Sequence, residues 1–287
     1  MSARMKGTVC MLLSAASFSL MNVFVRMAGD LPSMQKSFFR NAISLTVALF
    51  MILRSHTRFE VAPADRKHLL LRSLAGTFGI LCNYYAVDHI LLSDATVLIQ
   101  LSPFFTVLFA GWLLKERIKP VQALLFVIAF SSSLLILKPS MTGFVSVGAL
   151  VALAGGVFAG LAYAEVRLLG QHGVDRIIIV FTFSAVSCLV TLPALVFHYV
   201  PMNGQQLAFL LLAGLAASGG QFGITYAYFY APASEISVYD YAQVLFASVF
   251  GYFFFDQVAD RFSILGYVII IAAAVAMAAY NRRNTPA

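Results

Sequence analysis

The chain is 287 residues long, 61% hydrophobic and 11% charged, with a formal net charge of +7, against roughly 25% charged residues in an ordinary soluble domain. That stock cannot cover a water-soluble surface, so lipid must solvate most of it. Nucleic acid is not indicated by the basic excess, because the 19 Lys and Arg are spread between apolar stretches instead of gathered on one face.

Apolar runs long enough to cross a hydrocarbon core, about 20 helical residues, follow one another at 7–27, 34–53, 69–87, 94–114, 120–137, 145–164, 176–197, 206–228, 234–254 and 262–280. The first follows a basic start at 1–6, as a signal peptide would. It is long for a signal segment and lacks a small-x-small cleavage site, so it is read as helix one. Prolines punctuate the series: Pro32, Pro63, Pro120, Pro139, Pro201, Pro232 and Pro286 lie between or beyond the runs, where a missing N–H does little harm, and only Pro103 and Pro193 fall inside. Cys10, Cys82 and Cys188 sit in apolar stretches without metal-ligand spacing and read as small buried residues.

Short loops rich in Lys and Arg favour the cytoplasmic side. With the N-terminus inside, the cytoplasmic segments hold Arg4, Lys6, Arg54, Arg58, Arg66, Lys67, Lys115, Arg117, Lys119, Arg167, Arg176, Arg282 and Arg283, and the outer loops only Lys138 and Arg261. Ten helices with both termini cytoplasmic satisfy this alternation. A shift of 140 residues superposes Gly79 on Gly219, Gly111 on Gly251, Leu125 on Leu265 and Glu116 on Asp256. Matches at glycine and leucine are cheap in apolar sequence; the acidic residue recurring after corresponding spans carries more weight. The expected fold is therefore an all-α membrane protein of ten transmembrane helices, built as two five-helix repeats at 1–140 and 141–287. Five is odd, so the second repeat is inverted, the architecture of alternating-access carriers whose substrate site lies near the midplane.

The segment 72–137 contains Asn83-Tyr84-Tyr85-Ala86, Ala95-Thr96, Ser102-Pro103-Phe104-Phe105 and Leu113-Leu114-Lys115-Glu116, and its fifth helix ends Leu137-Lys138-Pro139. In this order the motifs resemble the repeat of the EamA-type carriers of the drug/metabolite transporter superfamily, and Phe38-Phe39-Arg40 at the opening of the second helix is similar to that family too. The resemblance spans nearly the whole chain. It implies ten helices, cytoplasmic termini and a central cavity lined mainly by helices 1, 3, 4, 6, 8 and 9, and it leaves the substrate open among amino acids, nucleotide-linked compounds, S-adenosylmethionine and other metabolites. Where the first repeat has Pro103 and Glu116 the second has Gln243 and Asp256, so the kink of helix four is not expected in helix nine.

Asp240 stands well inside the ninth span, in Ser237-Val238-Tyr239-Asp240-Tyr241. A carboxylate at the centre of a membrane helix costs about 2.5–3.5 kcal/mol on insertion scales, so it must face a cavity or a partner. In a cavity it can bind an ammonium group or cycle a proton; the competing reading is an ion pair with Lys36 or Arg40. Those two share one face of helix two. Lys36 reads as snorkelling to the headgroups; Arg40, one turn deeper, reads equally as snorkelling or as a structural or gating residue, and as a candidate counter-charge. Asn22 and Arg26 share a face of helix one, with Asn22 deep enough to need a partner. Further candidate substrate contacts are Asn83 and Tyr84 in helix three, Gln100 in four, Tyr163 in six, Gln221 and Tyr226 in eight, and Tyr239 and Gln243 in nine. Bonding between helices explains each of them singly, but together they are too many for that role.

Pro103 removes a backbone bond in span four and crowds the carbonyl of Ile99, which makes it a candidate hinge or a static kink. Ala152, Gly156, Gly160 and Ala164 in helix six, with Gly219 and Gly223 in helix eight, permit close helix approach. Glu116, between Lys115 and Arg117, reads as a solvated residue orienting a helix end, with gate latching as the alternative for it and for Asp256. Glu165 reads as a rim pair with Arg167.

No catalytic constellation appears: there is no metal pair, nucleophile elbow or phosphate loop, and His56, His68, His89, His172 and His198 lie at span ends or in loops. No enzyme activity, cofactor or metal is expected. The expected function is secondary transport of a small polar metabolite, with proton-coupled export of an amino acid or related amine preferred. Uptake or exchange of a nucleotide-like or sulfonium metabolite such as S-adenosylmethionine is the alternative, and a channel the non-carrier alternative. Expected partners are the small-molecule substrate and the lipid of a bacterial-type cytoplasmic membrane, for a monomer or homodimer.

Overall fold

The computed structural model describes residues 2–57, 59–90, 92–137, 146–256 and 258–283; Met1, Arg58, Lys138, Pro139, Pro286 and the boundary at 140–141 lie outside them. Short polar side chains ahead of the apolar runs satisfy the free amides of the first turn. Ser2 accepts from the Met5 amide to open α1 (Ala3–Met27), Ser146 from Ala149 to open α7 (Val147–Gln171), and Asp175 from Ile177 to open α8 (Arg176–Phe197). Asn203 and Gln206 form a reciprocal capping box before α9 (Gly204–Tyr230). Pro32 precedes α2 (Ser33–Ser55), while Pro63 and Pro120 are the first residues of α3 (Pro63–His89) and α6 (Pro120–Leu137), where no N–H is needed.

Two spans expected as single helices are broken. The fourth is α4 (Leu92–Ile99) and α5 (Ser102–Leu114), interrupted at Gln100 and Leu101. The ninth is α10 (Ala233–Ile236), a 3-10 turn at Ser237–Tyr241, and α11 (Ala242–Phe255). The chain ends with α12 (Arg261–Arg283). A straight ninth helix was expected from its lack of proline, and the structure corrects this. Packing makes the turn there: Ser237, Val238, Tyr239 and Tyr241 are all buried, and the Ser237 hydroxyl is 3.1 Å from that of Tyr228 on α9. Conversely, Pro103 lies in the first turn of α5 and costs no hydrogen bond there, and α8 runs on through Pro193.

Counting each broken span once gives ten among the described residues. Eight are long and apolar enough to cross a membrane, and Pro120–Ile136 is a shorter apolar helix. The remaining span, α3, carries Asp65, Arg66, Lys67, His68 and Arg72 in its first turns and is held by packing on α7 and α8.

The halves interlock with pseudo-twofold regularity. Helix 1 (α1) packs along helix 8 (α9), as helix 6 (α7) packs along helix 3 (α3). Helix 4 (α5) meets α7 as helix 9 (α11) meets α1, while α2 pairs with α8 and α6 with α12, each with its own counterpart. Hydrogen bonds repeat the relation, Ser44 to Ser218 at 3.1 Å between α2 and α9 and Thr77 to Ser187 at 2.7 Å between α3 and α8. The two breaks also correspond, since 237–241 less 140 is 97–101. The register slips by one residue farther on: the left-handed residues that end α5 and α11 are Lys115 and Asp256.

Small residues let the crossing helices touch. A Cβ on Gly160 would fall 2.5 Å from the Phe105 Cβ and 2.9 Å from the Thr106 amide nitrogen, and one on Gly156 would fall 2.9 Å from the Leu98 carbonyl. The broken fourth span therefore lies directly against α7. In the same way Gly223 abuts Cys10 and Ser14 of α1.

Candidate functional site

The two breaks flank a central cavity of about 180 Å³. Polar side chains reach it from most of the bundle: Asn22 of α1, Arg40 of α2, Arg72 and Asn83 of α3, Ser102 of α5, Tyr163 of α7, Gln221 of α9, Asp240 of the 3-10 turn and Gln243 of α11. Phe18, Ile99 and Phe183 supply apolar wall. The expected lining by helices 1, 3, 4, 6, 8 and 9 is thus joined by helices 2 and 7, through Arg40 and Phe183.

A 3-10 turn advances the chain differently from an α-helix, and it carries Asp240 to the cavity while its neighbours Tyr239 and Tyr241 pack into the core, 4% and 1% exposed. The Oδ1 of Asp240 is buried without a hydrogen-bond partner, and Asp240 enters no ion pair among the described residues. The structural pairing with Lys36 or Arg40 considered from the sequence is not formed.

Opposite in charge are two arginines. Arg40 is 9% exposed, its guanidinium 5.9 Å from the centre of the Phe18 ring. Arg72 is 1% exposed, with its guanidinium 4.2 Å over the Phe183 ring. Nothing in the sequence singles Arg72 out from the other basic residues near the start of the third span. Gly76, one turn on, leaves room for it: a Cβ there would strike the Arg72 guanidinium and come within 2.8 Å of Phe183. The Nε2 of Gln221 is also buried without a partner, and the Gln243 carbonyl accepts from the Ser19 hydroxyl at 2.8 Å.

Other candidates stand outside the lining. Tyr226 lies 4.4 Å under the Arg176 guanidinium, Tyr239 is in the core, and Tyr84 is half-buried elsewhere on α3. Gln100 sits in the break itself, its Oε1 buried without a partner. Pro103 is beside that break, which makes the discontinuity at Gln100–Leu101 the structural element there.

The two ends of the bundle are packed unequally among the described residues. At the end of the bundle that carries the chain termini, α5 packs against α10 and the 3-10 turn, whereas the mirrored pair, α4 and α11, lacks a contact of that extent among the described residues. Asn22, deep on the other side, is exposed. Charges bolt the terminal end. Arg167 Nε donates to Glu116 Oε1 at 2.9 Å, the Ala233 amide donates to Glu116 Oε2 at 3.1 Å, and Arg167 Nη1 donates to the Tyr228 carbonyl at 3.0 Å. Glu116 is therefore no solvated loop residue: it joins α7 and α10 to the end of α5. Nor does Glu165 pair with Arg167. Its carboxylate, 0% exposed, lies 2.9 Å from His68 Nδ1 of α3. Arg4 and Glu235 at 2.7 Å and His172 and Asp65 at 2.6 Å complete this face.

The chain matches the EamA-like transporter family twice, over residues 5–138 and 146–279. It is 32% identical over 274 residues to the pseudopaline exporter CntI of Pseudomonas aeruginosa, covering 94% of this chain and 95% of that one. It is 25% identical over 270 residues to the S-adenosylmethionine uptake transporter of Rickettsia prowazekii, covering 94% and 91%. A solved crystal structure superposes with a TM-score of 0.82 over 97% of this chain and 99% of its own at 16% identity, a likeness of fold.

Proposed function

The chain belongs to the EamA-like transporter family, and from that premise we propose that it is an alternating-access carrier that exports an amino acid or closely related amine in exchange for protons. One observation carries the reading: the unpaired Asp240 carboxylate faces a polar cavity between the halves, where both broken spans meet. At about 180 Å³ the cavity is smaller than the roughly 300–1,000 Å³ that drug-sized ligands occupy, which suits a small metabolite over a nucleotide-linked one. A charged group in such a place needs a counter-charge or a proton. Asp240 can alternate between a substrate ammonium and a proton as access changes.

The terminal end is the cytoplasmic one in this reading, on the distribution of Lys and Arg, in a bacterial-type inner membrane. The structure is then outward-facing, with the cytoplasmic side closed by Glu116 and Arg167. Residues 1–140 and 141–287 act as the two inverted units, as a monomer or within a homodimer. Asn22, Asn83, Tyr163, Gln221 and Gln243 supply hydrogen bonds to the substrate.

The test is transport by purified protein in proteoliposomes. Saturable uptake with counterflow is expected for a carrier and is impossible for a channel, because only alternating access permits exchange. The Asp240→Asn protein should lose transport and its pH dependence together; retention of both sinks the role given to Asp240. A second reading, uptake of a sulfonium metabolite such as S-adenosylmethionine, is favoured by the function named for the Rickettsia relative. Comparing right-side-out with inside-out vesicles separates uptake from export.

A further inference from the structure

A buried guanidinium without an acceptor is unusual, because desolvating a cation is repaid only by a partner. Arg72 is 1% exposed, its Nε has no hydrogen-bond partner, and no carboxylate pairs with it among the described residues. It is nevertheless a built position. Phe183 of α8 lies 4.2 Å beneath the guanidinium, and Gly76 keeps clear the space that any side chain there would take from it. Arg40 faces the same cavity from α2, and Asp240 is the acidic member of the lining.

We propose that Arg72, with Arg40, forms a carboxylate-binding subsite of the central cavity, and that the preferred cargo is an amino acid carrying a second carboxylate. The inference rests on the carrier reading above and narrows its substrate class. An ammonium beside Asp240 with a carboxylate on the arginine pair satisfies a zwitterion. The lining then keeps one unmatched cation, which a further carboxylate neutralises. An amine without a carboxylate would face two cations with one anion. The planar guanidinium fork suits a carboxylate in two-point contact and, stacked on Phe183, is already oriented for it.

Purified full-length protein is titrated in detergent with L-glutamate, L-glutamine and putrescine, and the ligand-induced rise in Tm gives an apparent affinity. L-Glutamate is expected to bind most tightly, L-glutamine more weakly and putrescine least. Arg72→Gln should weaken L-glutamate at least about tenfold, a loss of about 1.4 kcal/mol, while Arg72→Lys, which keeps the charge but not the fork, falls between. If Arg72→Gln does not fold, Arg40→Gln should show the same selective loss. The subsite is overturned if putrescine binds as tightly as L-glutamate, if neither carboxylate probe binds, or if the arginine variants leave L-glutamate unchanged. Equal affinity for L-glutamine and L-glutamate overturns the preference for a second carboxylate. Counterflow in proteoliposomes distinguishes the two readings: a chain that exchanges amines and ignores carboxylates keeps the carrier and loses the subsite. A chain that binds L-glutamate through Arg72 without counterflow keeps the subsite and loses the carrier.

Discussion

Replacing Glu116 with Gln should open the end of the bundle that is closed here. In the structure the Glu116 carboxylate accepts from Arg167 of α7 at 2.9 Å and from the first amide of α10 at 3.1 Å, with side-chain exposures of 12% for Glu116 and 13% for Arg167. A hydrogen bond to a charged group is worth about 1.5–3 kcal/mol net, whereas a fully exposed ion pair is worth about 0.2–1 kcal/mol. This pair lies between those limits and glutamine keeps one neutral acceptor, so the closed arrangement should lose about 1–2 kcal/mol relative to one in which α5 and α10 have parted. That is a factor of about 5–30 in the balance between the two states. The assay is a cysteine at Ser102, on the cavity wall, in a background lacking Cys10, Cys82 and Cys188, labelled with an impermeant maleimide from the side of the chain termini. Labelling should rise by that factor. An unchanged rate would show that the contact is incidental to closure.

Gly160→Ala should destabilise the protein by about 1–3 kcal/mol, the usual cost of overpacking, because the new Cβ would sit 2.5 Å from the Phe105 Cβ and 2.9 Å from the Thr106 backbone nitrogen; thermal unfolding in detergent measures it, and a neutral result means α5 moves freely off α7. His68→Ala should cost more stability than Glu165→Gln in the same assay, since it strands the carboxylate of Glu165, 0% exposed, and leaving one buried charge unpaired costs about 3–5 kcal/mol. The reverse order would show that Glu165 is neutral in the fold.

Much of the bundle was legible because the lipid core imposes one simple rule, a long apolar helix for every crossing. The same rule made Asp240 conspicuous, and Asn22, Arg40, Asn83, Tyr163, Gln221 and Gln243 proved to share its cavity. What the pattern could not show depends on partners distant in the chain. Arg72 looks like one more charge on the basic first turns of α3 until Phe183, more than a hundred residues away, is placed under it. Glu116 looks solvated between Lys115 and Arg117 until α7 brings Arg167 beside it. The break of the ninth span has no proline to announce it, because buried tyrosines make the turn. Span three fell short of an apolar helix for a reason that makes it informative: Asp65 and His68 pair with His172 and Glu165 at the end of α7, and Arg72 reaches the cavity.

The pseudo-symmetry extends the latch to a prediction about the state not captured here. The offset of 140 residues that carries Glu116 to Asp256 carries Arg167 to position 27, one residue from Arg26. Asp256 ends α11 in a left-handed conformation, just as Glu116 follows the left-handed end of α5. In the present structure these two are unlatched: Arg26 lies over the Phe255 ring at 4.2 Å, and Asp256 enters no ion pair among the described residues. If the halves rock as proposed, parting α5 from α10 would bring α11 towards the start of α4, and Asp256 would then meet Arg26 as Glu116 meets Arg167 now. Asp256→Asn should therefore weaken the opposite closure and hold the protein in the arrangement seen here. Labelling at Ser102→Cys from the terminal side should fall with Asp256→Asn and rise with Glu116→Gln. If both substitutions move it in the same direction, the two acidic residues are not counterparts, and the halves do not exchange roles as the carrier mechanism requires.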